Sequence, residues 1–141
     1  LDKYSLIAIT SIYGIELLKD NAKRCRERLF EIYLNWYFSV TKGEQNEQLF
    51  NSVKFVLSKN IIYGDALTLK TVGEIEEPIV FSEWSFTQNI VKRRCFAFDE
   101  LLQNQNIRQT PLFSDLGDDV FLPRTIEEFP MVHYLELADN V

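Results

Sequence analysis

Two acidic residues each follow a short run of β-branched and aromatic residues that contains a glycine. Glu16 follows "IYGI" at 12–15, and Asp65 follows "NIIYG" at 60–64. An ionised carboxylate accepts more than one hydrogen bond, so one such group suits the hydroxyls of a ribose. A second carboxylate would accept a hydrogen bond from the exocyclic amine of an adenine. Glu16 and Asp65 are therefore candidates to bracket an adenosine.

Acidic residues also end strands and begin turns without binding any ligand. Neither phrase has the specificity of a phosphate-binding loop. On spacing alone, a turn or capping role for both carboxylates stays open beside the binding role.

The segments around the two acids predict the order strand, helix, helix, strand. The segment "SIYGIEL" at 11–17 is typical of a short buried strand. From about 19 to 38 the apolar residues are then spaced as in a helix. A second helix is predicted over 44–58, followed by a strand in "KNIIYGDAL" at 59–67. This order is typical of a parallel crossover, which brings the carboxyl ends of both strands to one edge of the sheet, where ligands bind.

The helix over 19–38 has the clearest amphipathic pattern in the chain. Steps of three and four predict a buried face made of Ala22, Cys25, Leu29, Ile32 and Trp36. The opposite face carries charges of both signs, and their helical spacing predicts intrahelical ion pairs. Those charges are Lys23, Arg24, Arg26, Glu27, Arg28 and Glu31.

The rest of the chain has weaker patterns. "IVFSEWSF" at 79–86 predicts a third strand, and "KRRCFAFDELLQ" at 92–103 a strand or loop that passes into a short helix. The predicted organisation is a partial α/β domain over 1–102, with an extended C-terminal tail over 103–141 packing on it.

Composition excludes several classes of protein. The 141 residues are 46% hydrophobic and 26% charged, which is typical of a globular protein. The net charge of −6 argues against an autonomous nucleic-acid binder, since phosphates require clustered Lys and Arg. No apolar run approaches the roughly 20 residues of a membrane helix, and Cys25 and Cys95 lack metal-site spacing. We expect a cytoplasmic protein with no membrane partner and no metal.

Two phrases resemble a known family. "IYGIELLKDNAKRCRERLFEIY" and "NIIYGDALTL" are similar to the region after the glycine-rich loop of S-adenosylmethionine-dependent DNA methyltransferases, in the adenine-specific branch from bacterial restriction-modification systems. With "PIVFSEWSF" and "VKRRCFAFDELL", the resemblance covers about residues 5–102. It implies an incomplete Rossmann-like methyltransferase fold that lacks the N-terminal strand and the glycine-rich loop.

The resemblance also implies roles for particular residues. Glu16 would hold the ribose of S-adenosylmethionine and Asp65 its adenine, with Ile15, Leu17 and Ala66 as apolar and backbone neighbours. The partners implied are DNA, bound through the full-length protein, and a restriction endonuclease subunit.

The chain departs from the family at two motifs. Neither Asp-Pro-x-x-Gly-x-Gly nor the catalytic Asn/Asp-Pro-Pro-Tyr/Phe occurs in it. The nearest substitute is "SEWSF", with Glu83, Trp84 and Phe86, to which we assign no catalysis. A chain that begins with Leu1 rather than Met is also expected to be part of a longer protein, with a processed or trimmed terminus as the alternative. We expect this chain alone to be inactive and to bind the cofactor weakly or not at all; the alternative is a non-catalytic methyltransferase-like interaction or assembly module.

Two further features are predicted to be structural. His133 is the only histidine and has no Cys or Ser setting that suggests a catalytic triad. The cluster "KRR" at 92–94 lies between Trp84 and Phe96, so phosphate contacts are conceivable, but a solvated strand end is the favoured interpretation.

Overall fold

The structure is a computed structural model that describes residues 1–97 and 125–139. The described residues form a mixed α/β protein of helices and small sheets. The helices are α1 (Asp2–Thr10), α2 (Lys19–Thr41), α3 (Glu47–Asn60) and a 3₁₀ helix (Tyr134–Asp139). The strands are β1 (Gly14–Glu16), β2 (Ile61–Tyr63), β3 (Val80–Thr87), β4 (Ile90–Ala97), β5 (Glu127–Glu128) and β6 (Val132–His133).

The first two strands form a parallel pair connected by the two long helices. Gly14, Ile15 and Glu16 lie opposite Ile61, Ile62 and Tyr63. The predicted order of strand, helix, helix, strand is therefore confirmed, although each strand is only three residues long. Parallel strands need a crossover between them, and α2 with α3 supplies it.

The boundary between α2 and α3 follows from local chemistry. After Thr41, Lys42 and Gly43 both adopt positive φ angles, of 58° and 85°, which end the helix. Asn46 then begins α3, because its side-chain oxygen accepts a hydrogen bond from the backbone N–H of Leu49 at 3.2 Å.

The core lies where α1, α2 and α3 meet. Its fully buried members from α1 and α3 include Leu6, Leu49, Val53 and Val56. Ile61 of β2 joins the same cluster, so the parallel pair is anchored to the helices that connect it.

The predicted buried face of α2 is wrong in its second half. Ala22 is buried and Cys25 and Leu29 pack against the core as expected, but the buried residues of the second half are Tyr33 and Tyr37. Ile32 and Trp36 are instead 65% and 42% exposed. The tyrosines bury their rings because α1 satisfies both hydroxyls: Tyr33 pairs with Ser5 at 2.9 Å, and Tyr37 donates to Asp2 at 3.1 Å.

The remaining strands form a second sheet, which is antiparallel. β3 and β4 make a hairpin, β5 pairs with Arg94 and Cys95 of β4, and β6 pairs with Ile90 and Val91. The predicted third strand is thus β3, and it does not extend the parallel pair.

The C-terminal segment contributes to this sheet and to the core. Residues 127–133 supply β5 and β6, and the 3₁₀ helix packs on α3 with Leu137 buried. The predicted boundary at 102/103 and the tail up to 124 lie outside the described residues, so the division into domain and tail stays a prediction.

No helix within the described ranges is long and apolar enough to cross a membrane.

Candidate functional site

The ends of β1 and β2 bring the two predicted acids to neighbouring positions in the fold. Glu16 lies opposite Tyr63, and the backbone N–H of Gly64 donates to the Glu16 carbonyl at 2.9 Å. Asp65 is the next residue along the chain. Glu16 therefore ends β1 and Asp65 lies two residues after β2, at the same edge of the parallel pair, as the crossover predicted.

Asp65 also has the turn role that the sequence left open. One carboxylate oxygen, Oδ1, accepts a hydrogen bond from the Leu67 N–H at 2.8 Å, and the Asp65 carbonyl accepts one from the Leu69 N–H at 2.8 Å. No described residue donates to Oδ2 of Asp65. Because a carboxylate has about four acceptor positions, Asp65 can still accept hydrogen bonds from a ligand while it forms the turn.

Gly64 is required by a close approach between the strand end and the following loop. A Cβ at this position would lie 2.7 Å from Cδ1 of Ile79 and 3.3 Å from the Lys70 carbonyl. The loop returns to this point because Ile79 donates its N–H to the Leu69 carbonyl at 2.9 Å. The glycine therefore lets residues 65–79 fold against the end of β2 and fixes where Asp65 lies.

Glu16 lines an open cleft of about 300 Å³ between the end of β1 and α2. The other residues that line this cleft are Asn21, Arg24, Cys25, Arg28 and Leu29. Asp65 does not line it. The two acids thus share a sheet edge rather than one closed cavity.

The predicted neighbours of the acids differ in accessibility. Leu17 is 56% exposed and Ala66 is also exposed, each directly after its acid. Ile15 is half-buried, and strand alternation places it on the face of β1 opposite to Glu16. Leu17 and Ala66 are therefore accessible to a ligand at this edge, whereas Ile15 lies on the opposite face of β1.

The "SEWSF" segment is occupied by internal contacts. Glu83 forms an ion pair with Arg94 at 2.7 Å, and the indole N–H of Trp84 donates to the side-chain oxygen of Asn60 at 2.8 Å. Phe86 packs against the core. These contacts give the three residues structural roles and support leaving catalysis unassigned.

The basic cluster at 92–94 is also accounted for by contacts within the protein. Lys92 pairs with Glu128 at 3.4 Å and Arg94 with Glu83. The Arg93 guanidinium lies 4.1 Å from the centre of the Phe129 ring. The cluster lies in the middle of β4 and is half-buried, so it is not the solvated strand end that was predicted, and its internal partners favour a structural role over phosphate contacts.

His133 has a structural setting too. Its Nδ1 accepts a hydrogen bond from the Leu135 N–H at 3.2 Å, and its ring stacks on Tyr134 with 4.6 Å between the ring centres. Within the described ranges, no group of three or more His, Cys, Asp or Glu side chains is arranged to hold a metal ion.

The predicted intrahelical ion pairs on α2 form only in part. Lys23 lies 4.0 Å from Glu27, but Arg26 donates from Nε and Nη2 to the Ile61 carbonyl, at 2.9 Å and 2.5 Å. Arg24 and Arg28 form no ion pair with any described residue. Exposed pairs on a helix contribute only about 0.3–0.5 kcal/mol, so a buried carbonyl at the end of α3 is the better partner for Arg26.

Three polar residues of α2 line the same cleft as Glu16, although the sequence patterns did not predict it: Asn21, Arg24 and Arg28. The available signal was the spacing of the two arginines by one helical turn directly after the strand.

Comparisons of the chain with family models, curated proteins and solved structures returned no match.

Proposed function

We propose that this chain is part of an S-adenosylmethionine-dependent DNA methyltransferase that methylates adenine in a restriction-modification system. Residues 5–102 would belong to an incomplete Rossmann-like methyltransferase fold. One observation supports this function most: paired parallel strands carry Glu16 and Asp65 to the same edge of a sheet. In open α/β sheets this edge is where nucleotide cofactors bind.

In this proposal the chain supplies the adenosine half of the cofactor site. Glu16 accepts hydrogen bonds from the ribose hydroxyls, and Asp65 accepts one from the adenine amine through the oxygen that its turn leaves open. Leu17 and Ala66 contact the base and sugar from the exposed side, and Ile15 backs the strand. The protein acts in the cytoplasm, with DNA and a companion nuclease subunit as partners.

The methyl-transfer step is not assigned to any residue of this chain. The glycine-rich loop that would hold the methionine end of the cofactor does not occur in the sequence, and neither does the catalytic tetrapeptide. Half a site binds weakly, so we expect a dissociation constant of about 1 mM, which corresponds to about 4 kcal/mol of binding free energy.

A non-catalytic interaction or assembly module is the second candidate. It is favoured by the internal contacts of Glu83 and Trp84, which leave the nearest substitute for the catalytic motif committed to the fold. Reading the genomic sequence upstream of Leu1 discriminates the two. A glycine-rich loop there supports the enzyme, and its absence, together with no catalytic tetrapeptide, supports the module.

Binding of S-adenosylhomocysteine, followed by ligand-observed NMR, tests the proposed site. Removing either carboxylate, as Glu16→Ala or Asp65→Ala, should weaken binding by roughly fivefold to tenfold, since each removes about 1 kcal/mol or more of charge-assisted hydrogen bonding. Glu74→Ala is the matched control, because it removes an exposed acid from the 65–79 loop without touching either strand end. Equal binding by all four proteins would remove both assignments.

A further inference from the structure

The first half of α2 concentrates positive charge beside Glu16. The chain as a whole is acidic, with a net charge of −6, yet residues 19–28 contain five of its 15 Lys and Arg residues and only two of its 21 acids. Two of these basic residues, Arg24 and Arg28, line the open cleft of about 300 Å³ that also contains Glu16. A local positive cluster on an acidic protein attracts anions to one place on its surface.

The two arginines are not neutralised by any described residue. Acids stand at helical spacing from them, Asp20 four residues before Arg24 and Glu31 three residues after Arg28. Neither acid forms an ion pair with an arginine, however, in the part of the chain that the structure describes. Like charges four residues apart destabilise a helix, so an anion held between Arg24 and Arg28 would relieve a repulsion.

The other residues that line the cleft define what else its ligand must carry. Glu16 accepts hydrogen bonds and repels a second anionic group, so the part of the ligand beside it must donate, as hydroxyl groups do. Asn21 offers an amide that both donates and accepts. A volume of about 300 Å³ lies at the lower end of the range for small-molecule sites. The cleft therefore suits a small ligand with one anionic group and several hydroxyls.

We propose that this cleft binds the phosphate monoester of a sugar, with Arg24 and Arg28 on the phosphate and Glu16 on the sugar hydroxyls. Side chains one helical turn apart have Cβ atoms about 5–6 Å from each other, so both guanidiniums can reach one group. A phosphate monoester offers three terminal oxygens to two guanidiniums, whereas the two oxygens of a carboxylate are filled by one. S-adenosylmethionine carries no phosphate, so this ligand is distinct from the proposed cofactor and would compete with it for Glu16.

Protection of Cys25 from alkylation tests whether a sugar phosphate occupies the cleft. Cys25 lines the cleft and is half-buried, whereas Cys95 is buried elsewhere and serves as an internal control. Iodoacetamide is uncharged, so its rate of reaction with Cys25, followed by mass spectrometry, reports occupancy rather than competition for the arginines. Ribose 5-phosphate should slow this reaction saturably, and ribose should not. Ribose 5-phosphate contains no adenine, so this proposal and the adenosine site at Asp65 fail separately.

Substitution of the arginines tests where the phosphate lies. Arg24→Gln and Arg28→Gln should each raise the concentration of ribose 5-phosphate needed for protection by roughly fivefold to tenfold, since each removes charge-assisted hydrogen bonds. Lys23→Gln is the matched control, because it removes the same charge from the same helix outside the cleft, and it should protect like the unmodified chain. Circular dichroism shows whether each variant keeps its helices.

Three results would overturn the proposal. The first is no protection of Cys25 by ribose 5-phosphate, or equal protection by ribose. The second is an equal loss of protection in Lys23→Gln and in the two arginine variants. The third is protection by a short DNA duplex but not by ribose 5-phosphate, which would assign the two arginines to the phosphodiester backbone instead.

Discussion

Tyr37 shows how a single buried side chain couples folding to pH. Burial, together with the hydrogen bond to Asp2 and the charge of that residue, raises the pKa of Tyr37 from 10.0 to about 12. The unfolded chain releases this phenolic proton near pH 10, whereas the folded protein keeps it until about pH 12. The free energy of unfolding therefore falls as the pH rises through this window, and the contribution is complete below pH 10.

Replacing Tyr37 with Phe should make the alkaline loss of stability shallower. We expect the decline in unfolding free energy between pH 9 and 12 to shrink by roughly 2 kcal/mol, from the pKa difference. Urea unfolding followed by circular dichroism at several pH values measures it. Tyr4→Phe, which alters a 68% exposed ring, is the control. Parallel pH profiles for the unmodified protein and Tyr37→Phe would contradict this account.

Asn60 joins three elements through one fully buried amide. Its side-chain oxygen accepts from the Trp84 indole at 2.8 Å, and its side-chain nitrogen donates to the Thr10 carbonyl at 3.2 Å. Asn60→Leu leaves both partners without their hydrogen bonds, so we expect a loss of about 2–4 kcal/mol of stability in urea unfolding. Asn51→Leu changes an exposed residue of the same helix and should cost less than about 0.5 kcal/mol. Similar costs for both variants would show that the amide does not bridge the elements.

The sequence indicated where Glu16 and Asp65 lie along the chain, but not the hydrogen bonds that join distant elements. Glu16 and Asp65 were predictable because each ends a short apolar run that is visible in a few adjacent residues. The contacts of Asn60 with Thr10 and Trp84 join residues 50 and 24 positions apart. The spacing of apolar residues within a short segment does not indicate such distant partners.

At the scale of elements, the junction between β2 and its loop depends on a close approach at Gly64. Gly64→Ala should cost about 1–3 kcal/mol, because the added methyl group overlaps Cδ1 of Ile79. Ile79→Val removes that carbon, so the cost of Gly64→Ala should be clearly smaller when Ile79→Val is already present. A double-mutant cycle of unfolding free energies measures this coupling. Equal costs with and without Ile79→Val would mean that the loop does not press on the glycine.

The sequence predicts that α2 is a helix, but it does not predict which face of that helix is buried. Steps of three and four specify a helix, and α2 indeed spans Lys19–Thr41. The same helix has two apolar rows, however, one ending in Trp36 and one in Tyr37. The choice between them depends on Ser5 and Asp2 of α1, which hydrogen bond to Tyr33 and Tyr37. That information lies outside the helix, so its periodicity could not supply it.

At the scale of the whole molecule, the parallel pair and the antiparallel sheet are joined by long-range contacts. The Tyr13 hydroxyl, just before β1, donates to the Ser82 carbonyl of β3 at 2.7 Å. Residues 127–133 return to pair with β4. The mixed α/β class was predictable from the order of elements, but the addition of β5 and β6 to the second sheet was not, because two-residue strands leave no alternation to recognise.

The ends of β1 and β2 are proposed to form one adenosine site. Titrating adenosine into ¹⁵N-labelled protein and following the amide resonances tests it most directly, since adenosine needs only the half of the site that this chain contains. We predict saturable shifts at Glu16, Leu17, Asp65 and Ala66, and much smaller shifts with inosine, which lacks the amine that Asp65 would accept from. Shifts elsewhere in the protein, equal responses to both nucleosides, or no response at millimolar adenosine would contradict the claim.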